Sequence, residues 1–503
     1  MAILALLAAA MAAGVGPSGS VALASAGGTG GVRPRFEPAS CPTVPVRVPA
    51  LANARCGFLV VPENRENHDG RTIRLMVAIV PAASRHPARE PIVYLTGGPG
   101  GIALLESQKL VNAGLNRDHQ LILMDQRGTL YDEPTLTCPV IDQFNHSILA
   151  QRYDAELTRR QHVAATAACR QQLQTKPADL AAYNTLENAD DFADLRRALG
   201  YQRYDLYGVS YGTDLALTIM RRHPDGIRSV VLDSVVPPHL ASPAEFWAAA
   251  AAGFGNLFAA CREQPSCETR YPHLEGTFTK LVRKLERNPV AATVPDPQTG
   301  RSTRVLIDGG ALVNALVNVS FQTPRFVDVP SWIAQLAAGD PTAFATFRAA
   351  AVTPPGFVAY GLTYGVFCAE WVPFSSQREV LQAGMRAFPR YPRSVLAQAP
   401  QVPYLYDDCR IWDMPPVPEA RETTHSRVPT LLLSGSFDAV TPLASAHAAA
   451  RGLPNSTVVS IPAVGHFVLP ESRCAQSVVD SFLRHPKAPN TSCVAHLRPP
   501  PFT

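Results

Sequence analysis

The stretch YDLYGVSYGTDLAL, Tyr204 to Leu217, changes character at its centre. Tyr204-Asp205-Leu206-Tyr207 is an apolar, aromatic run that predicts a buried strand, and Asp214 to Met220 continues as a helix. Between them Gly208-Val209-Ser210-Tyr211-Gly212 fits the pattern G-x-S-x-G. That pattern describes a tight strand-to-helix turn that holds a serine hydroxyl exposed at the C-terminal end of a central strand, and the glycines leave room for neighbouring backbone.

Working outward, six further apolar or β-branched runs read as strands: those starting at Thr72, Pro91, Leu121, Ser229, Thr430 and Thr457. Helical patterns lie between some of them. In the segment from Glu187 to Gly200, the residues Ala189, Phe192, Ala193, Leu195 and Leu199 form an apolar stripe, and Gly200 is the stop signal. Strands alternating with helices imply an α/β fold with a mostly parallel sheet. The alternation breaks between about Pro238 and Arg427, where Ala-rich helical segments run without a buried-strand pattern, and it resumes at Val428. The broken stretch is therefore an insertion seated on the parent domain as a lid would be.

A serine hydroxyl needs a base to become a nucleophile, and the base needs an acid to hold its tautomer. Downstream of Ser210, Asp438 follows the strand from Thr430, and His466 follows the strand from Thr457, preceded by Gly465. Both stand at C-terminal strand ends, in the chain order Ser, acid, His. Asp233, at the end of the strand from Ser229, is a competing acid, and Asp438 is preferred on chain order. Thr441, three residues after Asp438, either orients that carboxylate or forms a turn. A developing oxyanion needs two backbone N–H donors. The loop TGGPGG, Thr96 to Gly101, follows a strand, and the donors assigned are Gly98 and Tyr211, with Gly97 as alternate.

Composition agrees with a large globular protein. The chain has 503 residues, 46% of them hydrophobic and 17% charged, enough to bury one large core or two linked ones. A formal charge of +4, with no basic run, argues against nucleic acid as a partner. The apolar run from Ala2 to about Val15, followed by Ala24-Ser25-Ala26, reads as a cleaved export signal over residues 1–26, although no Lys or Arg precedes it. The mature chain is expected to be soluble, without stable membrane insertion. Ten cysteines without a C-x-x-C pair point to disulfides between sequence neighbours: 41 with 56, 138 with 169, 261 with 267, 368 with 409 and 474 with 493.

Taken together, TGGPGG, DQRGT, GVSYG, FDAVTP and GHF resemble the secreted bacterial tripeptidyl-aminopeptidase and prolyl-aminopeptidase family of α/β-hydrolases. The resemblance covers most of the chain after residue 50. It implies an α/β-hydrolase core over residues 27–238 and 428–503, with a helical cap at 239–427. It also implies an oxyanion hole in the glycine-proline loop, and it places Asp125 to Gly128 beside the active site. Thr96 stands where the family often has His, which argues against strict prolyl-aminopeptidase specificity.

The resulting expectation is an exported serine hydrolase that releases short peptides or residues from free N-termini through an acyl-enzyme on Ser210. Peptide or protein N-termini are the expected substrate, and no metal or organic cofactor is implied. Such an enzyme needs a carboxylate for the substrate ammonium. Glu370, in VFCAEW, resembles the family's cap acid, with Asp407 and Asp408 as alternatives if Cys409 pairs with Cys368. The rival readings are a secreted esterase or lipase, which would lack that acid, and a non-catalytic binding protein on the same fold. Oligomeric state is not legible.

Overall fold

A computed structural model describes residues 33–67, 70–153 and 155–503. The expected export signal at 1–26 lies outside the described residues. The main sheet has nine strands: β1 (Arg35–Ala39), β2 (Arg55–Pro62), β3 (Thr72–Val80), β4 (Ile92–Leu95), β5 (Leu121–Met124), β6 (Tyr204–Val209), β7 (Ile227–Asp233), β10 (Thr430–Gly435) and β11 (Ser456–Ile461). Strands β8 (Val290–Pro295) and β9 (Ser302–Ile307) form a separate antiparallel pair. The helices that bear on the site are α1 (Ala103–Asn112), α2 (Pro139–Ser147), α3 (Glu156–Gln174), α4 (Thr185–Leu199), α5 (Tyr211–Arg222) and α6 (Glu245–Glu263).

Strand order is β1-β2-β3-β5-β4-β6-β7-β10-β11. The first three pairings are antiparallel, and every pairing from β5 to β11 is parallel. Fully buried strands such as Leu121–Met124 and Tyr204–Val209 suit this position, because helices cover both faces of a parallel sheet. On one face Leu104 and Leu110 of α1 and Val478 and Phe482 of the helix Arg473–Arg484 pack on Tyr94, Tyr207 and Leu433. On the other, Phe192 and Leu195 of α4 and Leu215 and Ile219 of α5 pack on Val93, Leu206 and Leu432. Asn184 caps α4 by accepting from the Glu187 N–H at 2.9 Å, and Gly200 ends it at φ 76°, the left-handed conformation a glycine adopts without a Cβ clash.

Register decides where the chemistry gathers. Leu95 is paired with Gly208, Val209 with Asp233, and Leu433 with Asp233, so β4, β6, β7 and β10 end level with one another. Their following loops, which carry Thr96, Ser210, Ser234 and Asp438, open on one edge of the sheet.

The excursion between β7 and β10 has its own core, in which Trp247, Phe254 and Phe278 pack with Leu312, Phe326 and Phe344. It is mostly helical as the sequence suggested, yet it also holds the β8–β9 hairpin, whose turn Asp296 to Gly300 is closed by a Gly300 N–H donating to Asp296 O at 2.8 Å. A second cluster joins α2 and α3, which precede β6, to the far end of the excursion: Phe144, Cys169 and Leu173 pack with Tyr364, Tyr404 and Trp412. The segment above the sheet is thus assembled from two stretches of chain.

Five disulfides pair Cys41 with Cys56, Cys138 with Cys169, Cys261 with Cys267, Cys368 with Cys409, and Cys474 with Cys493. The proline-rich tail, which reads in sequence as a loose end, is docked. Gln264 donates to Pro500 O at 2.9 Å, the Tyr271 hydroxyl to Thr503 O at 2.8 Å, and Phe502 packs on the excursion's core. Among the described residues no helix is long and apolar enough to cross a membrane.

Candidate active site

Ser210 sits between β6 and α5 at φ 56° and ψ −127°, a backbone conformation that L-residues rarely adopt. Close approach of chain on both sides enforces it. A Cβ on Gly212 would lie 2.0 Å from Leu95 O, and one on Gly208 would lie 2.4 Å from Gly212 O. The turn is secured below Ser210 by its own N–H, which donates to Asp233 O at 3.0 Å, and by the Thr213 hydroxyl donating to Ser210 O at 2.6 Å.

The glycine-proline loop lies against this serine. A Cβ on Gly97 would be 2.8 Å from Ser210 Cβ and 3.3 Å from its Oγ, so the loop reaches the hydroxyl only because residue 97 has no side chain. Gly98 has φ 123° and lines one cavity together with Ser210 and Tyr211. The loop is held from both sides: Gln126 donates to Thr96 O at 2.8 Å, and Thr363 of the excursion donates to Pro99 O at 2.8 Å. Arg127, fully buried, is fixed by Asp191 and Glu187 of α4 and donates to Pro62 O and Ala182 O. The DQRG stretch thereby clamps β2, α4 and the loop into one unit.

His466 follows β11 and is 6% exposed. Its Nδ1 lies 2.9 Å from Asp438 Oδ2. Asp438 also accepts from the Thr441 hydroxyl at 2.6 Å and from the N–H groups of Val440 and Thr441 at 2.8 and 2.9 Å. Burial pushes the Asp438 carboxyl up, but the adjacent His466 ring and these hydrogen bonds outweigh it and hold its pKa below the usual carboxylate range. The second ring nitrogen, Nε2, is buried without a hydrogen-bond partner in the protein. Thr441 Oγ1 is 3.2 Å from His466 Nδ1, and Thr441 also lines the Ser210 cavity, so one residue links acid, base and cavity.

Asp233 is placed otherwise. Its carboxylate accepts from the Tyr207 hydroxyl at 2.8 Å and from the N–H groups of Val468 and Leu469 at 2.8 and 3.0 Å, holding the turn that follows His466. Burial raises its pKa. A loop of the excursion does comparable work, which no pattern in the sequence signals: Ser320 O accepts the His466 N–H at 2.6 Å, Ser320 Oγ accepts from Ala439 N at 3.0 Å, and the Phe321 ring meets the His466 ring edge-on at 4.9 Å.

The cavity at Ser210 has a volume of about 170 Å³ and is walled by apolar groups including Leu240, Phe246, Phe367 and Trp371. Glu370, although next to Trp371, is not part of that wall. It is 2% exposed and accepts from the N–H and the hydroxyl of Thr185 at 2.8 and 2.6 Å. Burial pushes its pKa up to about 7, against the pull of those hydrogen bonds and of Arg421 and Arg221. Asp407 pairs with Arg159 at 3.1 Å and Asp408 with His162 at 2.6 Å, and neither lines the cavity at Ser210. The acid in its wall is Glu245, an exposed residue at the start of α6 that no pattern in the sequence singles out. Partial desolvation raises its pKa. Among the described residues no group of three or more His, Cys, Asp or Glu side chains is arranged to hold a metal ion.

Comparison with known proteins agrees with this architecture. A family model described as alpha/beta hydrolase fold matches residues 90–294, and one described as TAP-like protein matches residues 394–494. The tripeptidyl aminopeptidase of Streptomyces coelicolor is 28% identical over 195 residues, 37% of this chain and 35% of that protein. The serine protease Hip1 of Mycobacterium tuberculosis is 28% identical over 236 residues, 44% of either chain. Each match thus spans less than half of the relative's length. Among solved structures, the proline iminopeptidase of Mycobacterium smegmatis aligns with 17% identity and a TM-score of 0.37 over 86% of this chain and 98% of its own. With its mainly parallel sheet, its serine-bearing turn and the match over residues 90–294, the chain has the α/β-hydrolase fold, and residues 394–494 are similar to the TAP-like proteins.

Proposed function

We propose that the protein is an exported serine aminopeptidase that acts on free peptide N-termini. The reading is carried by one observation: Ser210, at its strained turn, shares a cavity with Thr441, whose hydroxyl bonds the Asp438–His466 pair. His466 Nε2 would take the Ser210 proton as Oγ attacks the carbonyl, and would then deliver it to the leaving amine. Asp438 holds Nδ1–H and stabilises the imidazolium. The N–H groups of Gly98 and Tyr211 receive the oxyanion, and water attacking the acyl-enzyme regenerates Ser210.

The excursion at 239–427, together with α2 and α3, serves as the cap that narrows access. Within it, Glu245 takes the role for which Glu370 was the sequence candidate. Glu245 is an exposed residue that lines the cavity beside its apolar wall, where its carboxylate would pair with a substrate ammonium. Five disulfides support export, since such bridges persist in oxidising compartments.

An esterase remains the second reading, favoured by the mainly apolar wall of the cavity. The two are separated by turnover of matched free-amine peptidyl amides, their N-acetylated versions and short-chain esters on the purified protein and on Glu245→Ala. Cleavage confined to free-amine peptides and weakened by Glu245→Ala supports the aminopeptidase. Turnover of esters alone supports the esterase.

A further inference from the structure

A second cavity, of about 240 Å³, adjoins the one at Ser210 and shares Phe367, Gln401 and Val402 with it as common walls. Its lining is aromatic, with the rings of Phe144, Tyr360, Tyr364 and Tyr404 contributed by α2 and by the excursion. Set among them is His162 of α3, 6% exposed, meeting Phe144 edge-on at 4.8 Å and Tyr404 at 4.6 Å between ring centres.

The polar groups of this wall are largely spoken for. Tyr360 OH accepts from Asn145 at 2.9 Å, and the Tyr404 hydroxyl donates to Tyr153 O. Asp408 accepts from His162 Nε2–H at 2.6 Å and from the Thr166 hydroxyl at 2.8 Å. That contact fixes the neutral imidazole as the Nε2–H tautomer, which leaves Nδ1 as a hydrogen-bond acceptor. His162 Nδ1 is buried and has no partner in the protein. A buried acceptor without a donor is uncommon in native proteins, and on a residue that lines a cavity it points to a ligand that brings one.

We propose that this cavity is a side-chain subsite for a peptide residue close to the scissile bond. It takes an aromatic side chain that carries its own donor, tyrosine above all, whose ring packs among Phe144, Tyr360 and Tyr404 and whose hydroxyl donates to His162 Nδ1. The chemistry of the wall selects that class. Rings favour a flat apolar body, and the unpaired His162 Nδ1 favours an O–H or N–H at its tip. Phenylalanine fills the same space and leaves Nδ1 unpaired, the situation in which a site built for a hydroxyl discriminates against its deoxy analogue.

The proposal rests on the peptidase reading, and its test separates the two. Free-amine tetrapeptides carrying Tyr, Phe or Ala at each position in turn are compared by kcat/KM. At one position Tyr should exceed Phe by about tenfold, the size of one hydrogen bond to a buried acceptor, and both should exceed Ala. His162→Gln, which keeps an amide donor for Asp408 and removes Nδ1, should bring the Tyr-to-Phe ratio close to one. Ile148→Trp, which fills the cavity from its wall, should lower Tyr and Phe together relative to Ala. Because each readout is a ratio within one preparation, partial misfolding of a variant cancels. Equal rates for Tyr and Phe at every position, or a ratio that survives His162→Gln, would overturn the subsite. If no peptide is cleaved while esters are, the peptidase reading fails by itself. The same comparison is then made with 3-(4-hydroxyphenyl)propionyl and 3-phenylpropionyl esters, where a preference for the hydroxylated acyl group supports the subsite and its absence overturns it.

Discussion

Glu370 holds Thr185 by both its backbone and its side-chain donor, the N–H at 2.8 Å and the hydroxyl at 2.6 Å, and Thr185 Oγ1 in turn lies 2.9 Å from the Tyr211 hydroxyl. The acid that motif reading assigned to the substrate thereby supports the first turn of α4 and, through it, the side chain of the residue that follows Ser210. Its pKa of about 7 in the folded protein, raised by burial from 4.5, makes it a stability group. Below pH 4.5 the carboxyl is protonated in both folded and unfolded chains. As pH rises to about 7, the unfolded chain releases the proton and the folded one retains it, so stability falls, by on the order of 3 kcal/mol in all. Denaturant titrations at pH 4.5 and 7.5 should show that loss for the native protein and a smaller one for Glu370→Gln.

Thr441 bonds Asp438 Oδ2 at 2.6 Å and approaches His466 Nδ1 at 3.2 Å. Removing its hydroxyl in Thr441→Val should lower kcat by roughly 10- to 100-fold, the equivalent of one hydrogen bond to a charged group, with KM little changed. Thr441→Ser should restore most of the rate. Equal loss in both variants would mean that the methyl packing, and not the hydrogen bond, matters.

Glycine positions offer a direct check on the strand-to-helix turn. With a Cβ only 2.0 Å from Leu95 O, Gly212→Ala should destabilise the fold by more than about 3 kcal/mol. Gly276 lies inside the helix Leu274–Arg287 with nothing near its Cβ position, and Gly276→Ala should stabilise by up to about 1 kcal/mol. Thermal melts of the two variants give both signs.

The docked tail makes a further prediction. Deleting residues 500–503 removes the hydrogen bonds to Gln264 and Tyr271 and the packing of Phe502. Stability should fall by about 2 kcal/mol, measured by denaturant unfolding. An unchanged midpoint would contradict the anchoring role.

Much of this architecture is legible in the chain, for physical reasons that differ by element. The strands β3 to β7 and β10 are largely buried runs because helices cover the sheet, edge strand β11 keeps a short apolar run, and their ends bring Ser210, Asp438 and His466 to one edge of the sheet. Edge strand β1 escapes notice because its burial is partial and Pro38 interrupts it, and β2 because Gly57 and Pro62 read as turn residues. Gly57 is needed there, since a Cβ would lie 2.4 Å from Glu37 O. The β8–β9 hairpin is short and half exposed, so it lacks the run of a core strand. Glu245 and the Ser320–Phe321 loop reach the site through tertiary packing, and local pattern carries no trace of that. Glu370 shows the converse: its motif is readable, but only the fold reveals that its oxygens face Thr185.

The measurement that bears most directly on the central claim is labelling and turnover at Ser210. The purified protein is treated with a fluorophosphonate, digested and mapped, and hydrolysis of a free-amine tripeptidyl amide is followed in parallel with that of Ser210→Ala. The account predicts a single adduct on Ser210 and turnover that disappears on labelling and in the variant. An unlabelled Ser210 in a folded protein, or turnover that survives Ser210→Ala, would contradict it.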